Sequence, residues 1–406
     1  MRFPSISSSV RRACATATAV IALAGVAAPS ANAQSSNPIE AGSSALNYGA
    51  NSLLAEWSKN PHLGEDINSF YRGMHMYSPW AQFPLWNMWG SPTPYPIEAE
   101  RDFAAPRLVK VEKDERFDVD RLFIESPAMR RIVQVQVQHP KDRTTPAPML
   151  YLLDGVTAPS QSGWLRKGDV QGAMANEHVT VIMPTEAGGT NYTDWNETDP
   201  YLGRAKWETF LIKELPGVLV QPETKIAYNG KSYIGGLSMG GSAAVRLANL
   251  YPEKFVGTFG VSGCYSPVNT SGRELFNLAA RVIGGNPDLM WGRDITEQRR
   301  RNDVVANPSG IASMDTYIYV ANGVATPSDV NGPKEDGPFT LFGNIVLEKM
   351  SYRCTQELEA SVREKIADPS RITFDYHDGG VHSWPYYRQQ LPVAWANVSK
   401  GQYTYR

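Results

Sequence analysis

Lys231-Ser232-Tyr233-Ile234-Gly235-Gly236-Leu237-Ser238-Met239-Gly240-Gly241-Ser242-Ala243-Ala244-Val245-Arg246-Leu247-Ala248 joins a short extended run to a small-residue helix, with a serine at the junction. Residues 231–234 read as a strand, Gly235 and Gly236 let the chain turn sharply, and the run from Gly240 opens a helix that Pro252 closes. Strand, tight turn and helix in that order hold the Ser238 hydroxyl clear of a sheet, as a G-x-S-x-G nucleophile elbow requires. The five-residue pattern by itself is weak in a chain with 34 glycines, and the flanking strand and helix give it its weight. The bland alternative is a glycine-rich loop with an idle serine.

Working outward, residues 148–153 and 179–184 are continuously apolar and read as central parallel strands covered on both faces. Ile132-Val133-Gln134-Val135-Gln136-Val137-Gln138 alternates, which marks a strand with one wet face and places it in an antiparallel edge hairpin. Further strands are expected over residues 232–234, 258–262, 316–320 and 371–376, with helices over 207–218, 242–251 and 344–365. That alternation describes an α/β chain of doubly wound type, a central mostly parallel sheet flanked by helices. Residues 34–105 differ: they are dense in aromatics (Trp57, Tyr71, Tyr77, Trp80, Phe83, Trp86, Trp89, Tyr95) and end in Ser91-Pro92-Thr93-Pro94-Tyr95-Pro96. This reads as an N-terminal extension packed on the main domain, with a lipid or sugar platform as the rival reading.

At the N-terminus, Arg2, Arg11 and Arg12 precede an apolar stretch over residues 13–28, and Ala31-Asn32-Ala33 has the small-x-small form of a signal-peptidase site. Residues 1–33 therefore read as an export signal cleaved near Ala33. The stretch is too short and alanine-rich for a transmembrane anchor, and nothing later reaches the roughly 18 apolar residues a span needs. The expected organisation is a signal peptide (1–33), the extension (34–105) and one catalytic domain (106–406). The formal charge of −2 becomes −5 once the three signal arginines leave, which argues against nucleic acid as a partner. Of three cysteines, Cys14 leaves with the signal, so an exported chain keeps Cys264 and Cys354. Two cysteines in an oxidising compartment favour one disulfide, with two separate buried thiols as the alternative.

A serine nucleophile needs a base oriented by a carboxylate, in chain order Ser, acid, His on this kind of scaffold. Of six histidines only His377 and His382 follow Ser238. His377 falls at a strand end, whereas His382 lies beyond Gly379-Gly380 in a loop that can reach a serine, so His382 is the expected base. The acid stays open among Asp329, Glu335, Asp336, Glu348 and Glu357. An oxyanion needs backbone donors: the N–H after the nucleophile is that of Met239, and Leu152-Leu153-Asp154-Gly155-Val156, ending an early central strand, offers the N–H of Val156. Asp154 read alone is a turn residue before glycine.

These segments together resemble the antigen 85 type mycolyltransferases, including the corynebacterial ones, over roughly residues 123–395. The ordered landmarks are Glu125-Ser126-Pro127-Ala128-Met129-Arg130, Tyr151-Leu152-Leu153-Asp154-Gly155, Ile182-Met183-Pro184, Thr193-Asp194-Trp195, Gly236-Leu237-Ser238-Met239-Gly240, Leu347-Glu348 and His382-Ser383-Trp384. The resemblance implies an α/β-hydrolase fold, Ser238 as nucleophile, His382 as base, Glu348 as acid, and Val156 and Met239 as oxyanion donors. It places Asp154 against a trehalose hydroxyl and Trp384 on the sugar pocket. It implies transfer of a mycoloyl group from trehalose monomycolate to trehalose monomycolate, arabinogalactan or a protein hydroxyl in the cell envelope, with no metal or cofactor. Thr157 departs from the arginine that mycobacterial members carry two residues after the Asp-Gly glycine. A secreted carboxylesterase with the same triad is the nearest rival, and a non-catalytic envelope-binding protein is the rival of another class.

Overall fold

The computed structural model describes residues 38–60, 100–332 and 337–405. The export signal read over residues 1–33, the aromatic run from Tyr71 to Tyr95, and Glu335 and Asp336 lie outside the described residues. Among the described residues, nine strands form one sheet: β1 (Arg107–Asp114), β2 (Val119–Ser126), β3 (Arg131–Gln138), β4 (Ala147–Leu153), β5 (Thr180–Pro184), β6 (Tyr228–Leu237), β7 (Gly257–Val261), β8 (Asp315–Ala321) and β9 (Ile372–His377). Their order is β1-β2-β3-β5-β4-β6-β7-β8-β9. From β5 through β8 the pairings are parallel, and β1, β2, β3 and β5 pair antiparallel in that order.

Every residue of β4, β5 and β7 is buried, as strands covered on both faces must be. Residues 132–138 do lie in an antiparallel pairing, but not at the edge: β2 and then β1 lie outside them. The true edge strand, Arg-Leu-Val-Lys-Val-Glu-Lys-Asp, is mostly exposed and carries two lysines, which discourages pairing with another chain and leaves no apolar face in the sequence to reveal it.

Among the described residues the longer helices are α1 (Pro38–Ser58), α2 (Met239–Leu250), α3 (Thr270–Val282), α4 (Pro338–Lys365) and α5 (Trp384–Ser399). Residues 207–219 are helical, but their middle, Phe210–Glu214, widens to a π turn just before Pro216, whose ring cannot continue an α ladder. α5 buries Tyr387, Leu391, Ala394, Trp395 and Val398, a helical stripe that keeps its face inward despite Pro392. One apolar cluster gathers Leu122, Val135, Tyr151, Ile182, Ile234 and Trp207; another gathers Val245, Ile318, Leu358 and Val362. Among the described residues no helix is long and apolar enough to cross a membrane.

After β4 the chain lays β5 on one side and later β6 on the other. The carboxyl ends of β4 and β6 thus flank a topological switch point, where open α/β sheets carry their sites. Contacts divide the chain into two compact units. Among the described residues, one takes 100–320, 353–376 and 384–405 and holds the sheet but for the last residues of β8 and β9; the other takes 38–60, 321–332, 337–352 and 377–383. In the described part of the latter, α1 meets the segment after β8 and the start of α4.

Cys264 and Cys354 form a disulfide, with Cα atoms 5.0 Å apart and 90 residues between them in sequence. It ties the segment after β7 to the second half of α4, so the oxidised pairing replaces the alternative of two free thiols. Closing so long a loop in the unfolded chain is worth about 4–5 kcal/mol in the chain-entropy picture. The Cys264→Ser/Cys354→Ser double variant is therefore expected to unfold at lower denaturant by roughly 2–5 kcal/mol, with its m-value little changed. An unchanged midpoint would show that the bridge adds nothing to stability.

Candidate active site

Ser238 sits between the end of β6 and the start of α2 with φ 53° and ψ −122°. A non-glycine residue held there carries on the order of 1–3 kcal/mol of backbone strain, so the surroundings must over-determine it. They do. Its N–H donates to the Val261 carbonyl at 2.7 Å, and its own carbonyl accepts from the Ser242 N–H at 2.9 Å and the Ser242 hydroxyl at 3.0 Å. The hydroxyl of Ser242 in turn accepts the Cys264 N–H at 2.8 Å, linking the elbow to the disulfide.

Glycine is required on either side of the serine because two backbones nearly touch. A Cβ at Gly236 would lie 2.7 Å from the Leu153 carbonyl oxygen, and one at Gly240 would lie 2.4 Å from the Asp154 carbonyl oxygen. The end of β4 is thereby pressed against the elbow, and a Cβ at Gly155 would sit 3.6 Å from the Ser238 Cβ. This brings Gly155-Val156 beside Ser238, as the sequence reading expects. Met239 opens α2, so its N–H is one of the donors a helix leaves without an internal acceptor.

The segment after β5 supports this turn, which the sequence reading did not find. Gly189 N–H donates to the Val156 carbonyl at 2.9 Å, and Asp154 N–H donates to the Tyr192 hydroxyl at 3.0 Å. Glu186, Asn191 and Tyr192 have φ of 61°, 53° and 47°, and the guanidinium of Arg246 on α2 donates to the carbonyls of Asn191 (3.0 Å) and Tyr192 (2.9 Å). Arg246 is buried and its pKa is pushed down to about 10 by desolvation, yet it stays charged at neutral pH. A lone arginine within Ala243-Ala244-Val245-Arg246-Leu247-Ala248 was the available signal, since a cation on so apolar a helix needs buried acceptors.

Asp154 is buried too. One carboxylate oxygen accepts the Ser162 hydroxyl at 2.7 Å and the Gly163 N–H at 3.2 Å, while the other, Oδ1, has no protein partner among the described residues. Trp384, the first residue of α5, lies against Gly163 and meets Trp164 edge-to-face with centroids 5.6 Å apart. Thr157 is exposed. Asp154, Trp384, Val156, Met239 and Ser238 all belong to the sheet-bearing unit.

Glu348 and His382 belong to the other unit and are joined there. His382 Nδ1–H donates to Glu348 Oε2 at 2.8 Å, and Glu348 Oε1 accepts the Ala321 N–H at 2.8 Å. Glu348 is buried, so both oxygens of a dry carboxylate are satisfied. A proton held on Nδ1 leaves Nε2 as the basic nitrogen. The rival residues are engaged elsewhere: Asp329 caps the short helix Pro327–Val330 through Thr326, Glu357 accepts from Asn269 at 3.1 Å, and His377 Nδ1–H donates to the Gly379 carbonyl at 2.7 Å. Geometry thus separates Glu348 from acids that sequence alone left level.

Burial pushes the Asp154 carboxyl up to about 7, against hydrogen bonds from Ser162, Gly163 and Trp164 that favour its charged form. Between the ordinary carboxyl value near 4 and about pH 7 the folded protein holds this proton while the unfolded chain has released it. Stability from this group is therefore fully present below about pH 4 and lost as pH rises towards 7, by up to roughly 4 kcal/mol. Asp154→Asn should flatten that part of the pH dependence in thermal unfolding between pH 4 and 7; identical slopes in the two proteins would contradict a raised Asp154.

Comparison with known proteins fits this architecture. The chain matches the model of the family described as "Putative esterase" over residues 126–398. It is 32% identical over 280 residues to the diacylglycerol acyltransferase/mycolyltransferase Ag85A of Mycobacterium tuberculosis, covering 67% of this chain and 78% of that protein. It is 30% identical over 278 residues to the corresponding Ag85C of Mycobacterium avium, covering 67% and 74%. Among solved structures it resembles Mycobacterium tuberculosis MPT51 (FbpC1) with a TM-score of 0.58 at 22% identity, covering 70% of this chain and 98% of that one, a likeness of fold. The chain is an enzyme of the acyltransferase and ester-hydrolase class, with an α/β-hydrolase type sheet, and it belongs to the esterase family that includes the Ag85 mycolyltransferases.

Proposed function

We propose that this protein is an exported mycolyltransferase that works through an acyl-enzyme on Ser238. The observation that carries the reading is the strained Ser238 elbow pressed against the Asp154-Gly155-Val156 turn, an arrangement that presents a hydroxyl next to two backbone donors. His382, oriented by Glu348, takes the Ser238 proton as the serine oxygen attacks the ester carbonyl of trehalose monomycolate. The new C–O bond gives a tetrahedral oxyanion that rests on the Met239 and Val156 N–H groups. Collapse breaks the bond to trehalose, whose oxygen leaves with the proton from His382. An acceptor hydroxyl then gives its proton to His382, attacks the acyl-enzyme and carries the acyl group away. The relatives' names, diacylglycerol acyltransferase/mycolyltransferase, support an alcohol rather than water as acceptor.

Asp154 Oδ1 and the Trp384 ring form the proposed sugar contacts, with Oδ1 the acceptor left for a sugar hydroxyl. The acceptor is trehalose monomycolate, arabinogalactan or a protein hydroxyl. The exposed Thr157, where mycobacterial members carry arginine, is the position at which this choice is expected to differ. Residues 1–33 are the proposed signal peptide, 34–105 an extension and 106–406 the catalytic domain.

Purified mature protein is to be given labelled trehalose monomycolate with and without unlabelled trehalose, and products resolved as acyl-sugar or free acid. Transfer to sugar is expected. It should fall at least about 10³-fold in Ser238→Ala and His382→Ala and roughly 10²–10⁴-fold in Glu348→Gln. Free acid as the sole product would instead favour the secreted carboxylesterase, and full activity in Ser238→Ala would end both enzymatic readings.

A further inference from the structure

Helix α1 precedes the region that the family model covers, yet it packs within the unit that holds Glu348 and His382. Its buried face is Asn51, Leu54, Ala55 and Ser58, spaced as one helical stripe, while Leu53 and Glu56 between them are exposed. Ser58, fully buried, donates its hydroxyl to the Ala55 carbonyl at 2.6 Å and accepts the Ala325 N–H at 3.0 Å. Asn51 donates to the Val330 carbonyl at 3.3 Å, and the Trp57 ring stacks on Phe342 with centroids 5.3 Å apart and planes inclined by 21°.

Those contacts fall on the two segments that fix the acid and the base. Beside Ala325, the Val324 carbonyl accepts the Gly380 N–H at 2.8 Å, two residues before His382. Asn322 Oδ1 accepts the N–H groups of Val324 (3.0 Å) and Gly379 (3.1 Å), and Ala321 supplies the N–H that binds Glu348. Two residues beyond Phe342, the Asn344 carbonyl accepts the His382 N–H at 3.1 Å. A short chain of hydrogen bonds and one ring stack thus runs from α1 to both members of the pair.

We infer that α1 is a positioning element of the reaction: Ser58 and Trp57 hold the 321–330 segment and the start of α4 so that His382 keeps its hydrogen bond to Glu348. This rests on the proposed roles of Glu348 and His382. A helix that merely adds stability would change the folded fraction and leave the chemistry of the folded protein alone. A positioning helix changes kcat with KM little altered, because an imidazole that loses its carboxylate partner is no longer held in the orientation and tautomer that proton transfer needs.

The test uses the full mature protein with a chromogenic short-chain ester, measuring kcat and KM in Ser58→Ala, Trp57→Ala and Trp57→Phe, corrected for folded fraction, with His382→Ala alongside. The inference expects kcat to fall at least tenfold in Trp57→Ala and severalfold in Ser58→Ala, with KM within about twofold. Trp57→Phe, which keeps the ring stack, should recover most of the rate. Wild-type kcat in both alanine variants, with His382→Ala inactive, would overturn this inference and leave the proposed mechanism intact. An active His382→Ala would overturn the mechanism and the inference with it. Should Trp57→Ala fail to fold, Ser58→Ala, which removes a single hydroxyl, decides the matter by the same readouts.

Discussion

The site depends on one close approach of backbones, that of Gly236 and Gly240 to the carbonyls of Leu153 and Asp154. Side chains at either glycine would force the end of β4 away from the elbow. Without that contact the turn carrying Val156 would not reach Ser238, and the positive φ at Ser238 would lose the neighbours that hold it. The parallel register that sets Leu153 opposite Gly236 follows from β4 and β6 being buried on both faces where they meet, since a one-residue slip would turn whole rows of side chains around. The backbone geometry around Ser238 is thus set by the packing of the sheet beneath it.

Three buried ionisable groups are each handled differently. Glu348 is matched at both oxygens, by a backbone N–H and by imidazole, which holds the carboxylate in one orientation. Arg246 spends part of its guanidinium on two carbonyls of a segment whose left-handed residues leave those carbonyls without regular partners. Asp154 is satisfied at one oxygen only, and burial raises its carboxyl towards neutrality. A half-satisfied carboxyl near Ser238 destabilises the protein, and groups of this kind cluster at functional sites, where a ligand can complete them.

Much of this was legible because strand periodicity and glycine placement are local. The continuous apolar runs of residues 148–153 and 179–184 are the central strands, and the elbow between residues 234 and 240 is a strand–turn–helix. β1 was hidden because an edge strand that avoids aggregation shows charge on both faces. α1 was hidden because Ala45, Ala50 and Ala55 lie among serines, glycines and asparagines that also suit loops, and only its packing makes it a helix. Choosing Glu348 over Asp329 or Glu357 from the residues needed a fact no single segment contains, namely which carboxylate the imidazole finds. The family resemblance supplied that choice in advance, and the 2.8 Å contact gives it a physical basis. The segment of Tyr192 and the role of Arg246 lay beyond both, because a left-handed tyrosine carries no mark in sequence.

The account's central claim is that Ser238 carries the acyl group between donor and acceptor. The most direct measurement mixes the mature enzyme with trehalose monomycolate, quenches in acid within the first turnover, and maps the adduct by peptide mass spectrometry. The account predicts a mycoloyl mass on the peptide containing Ser238, discharged faster as acceptor sugar is added. An adduct on another residue, or steady product formation with no covalent species at any time, would contradict it.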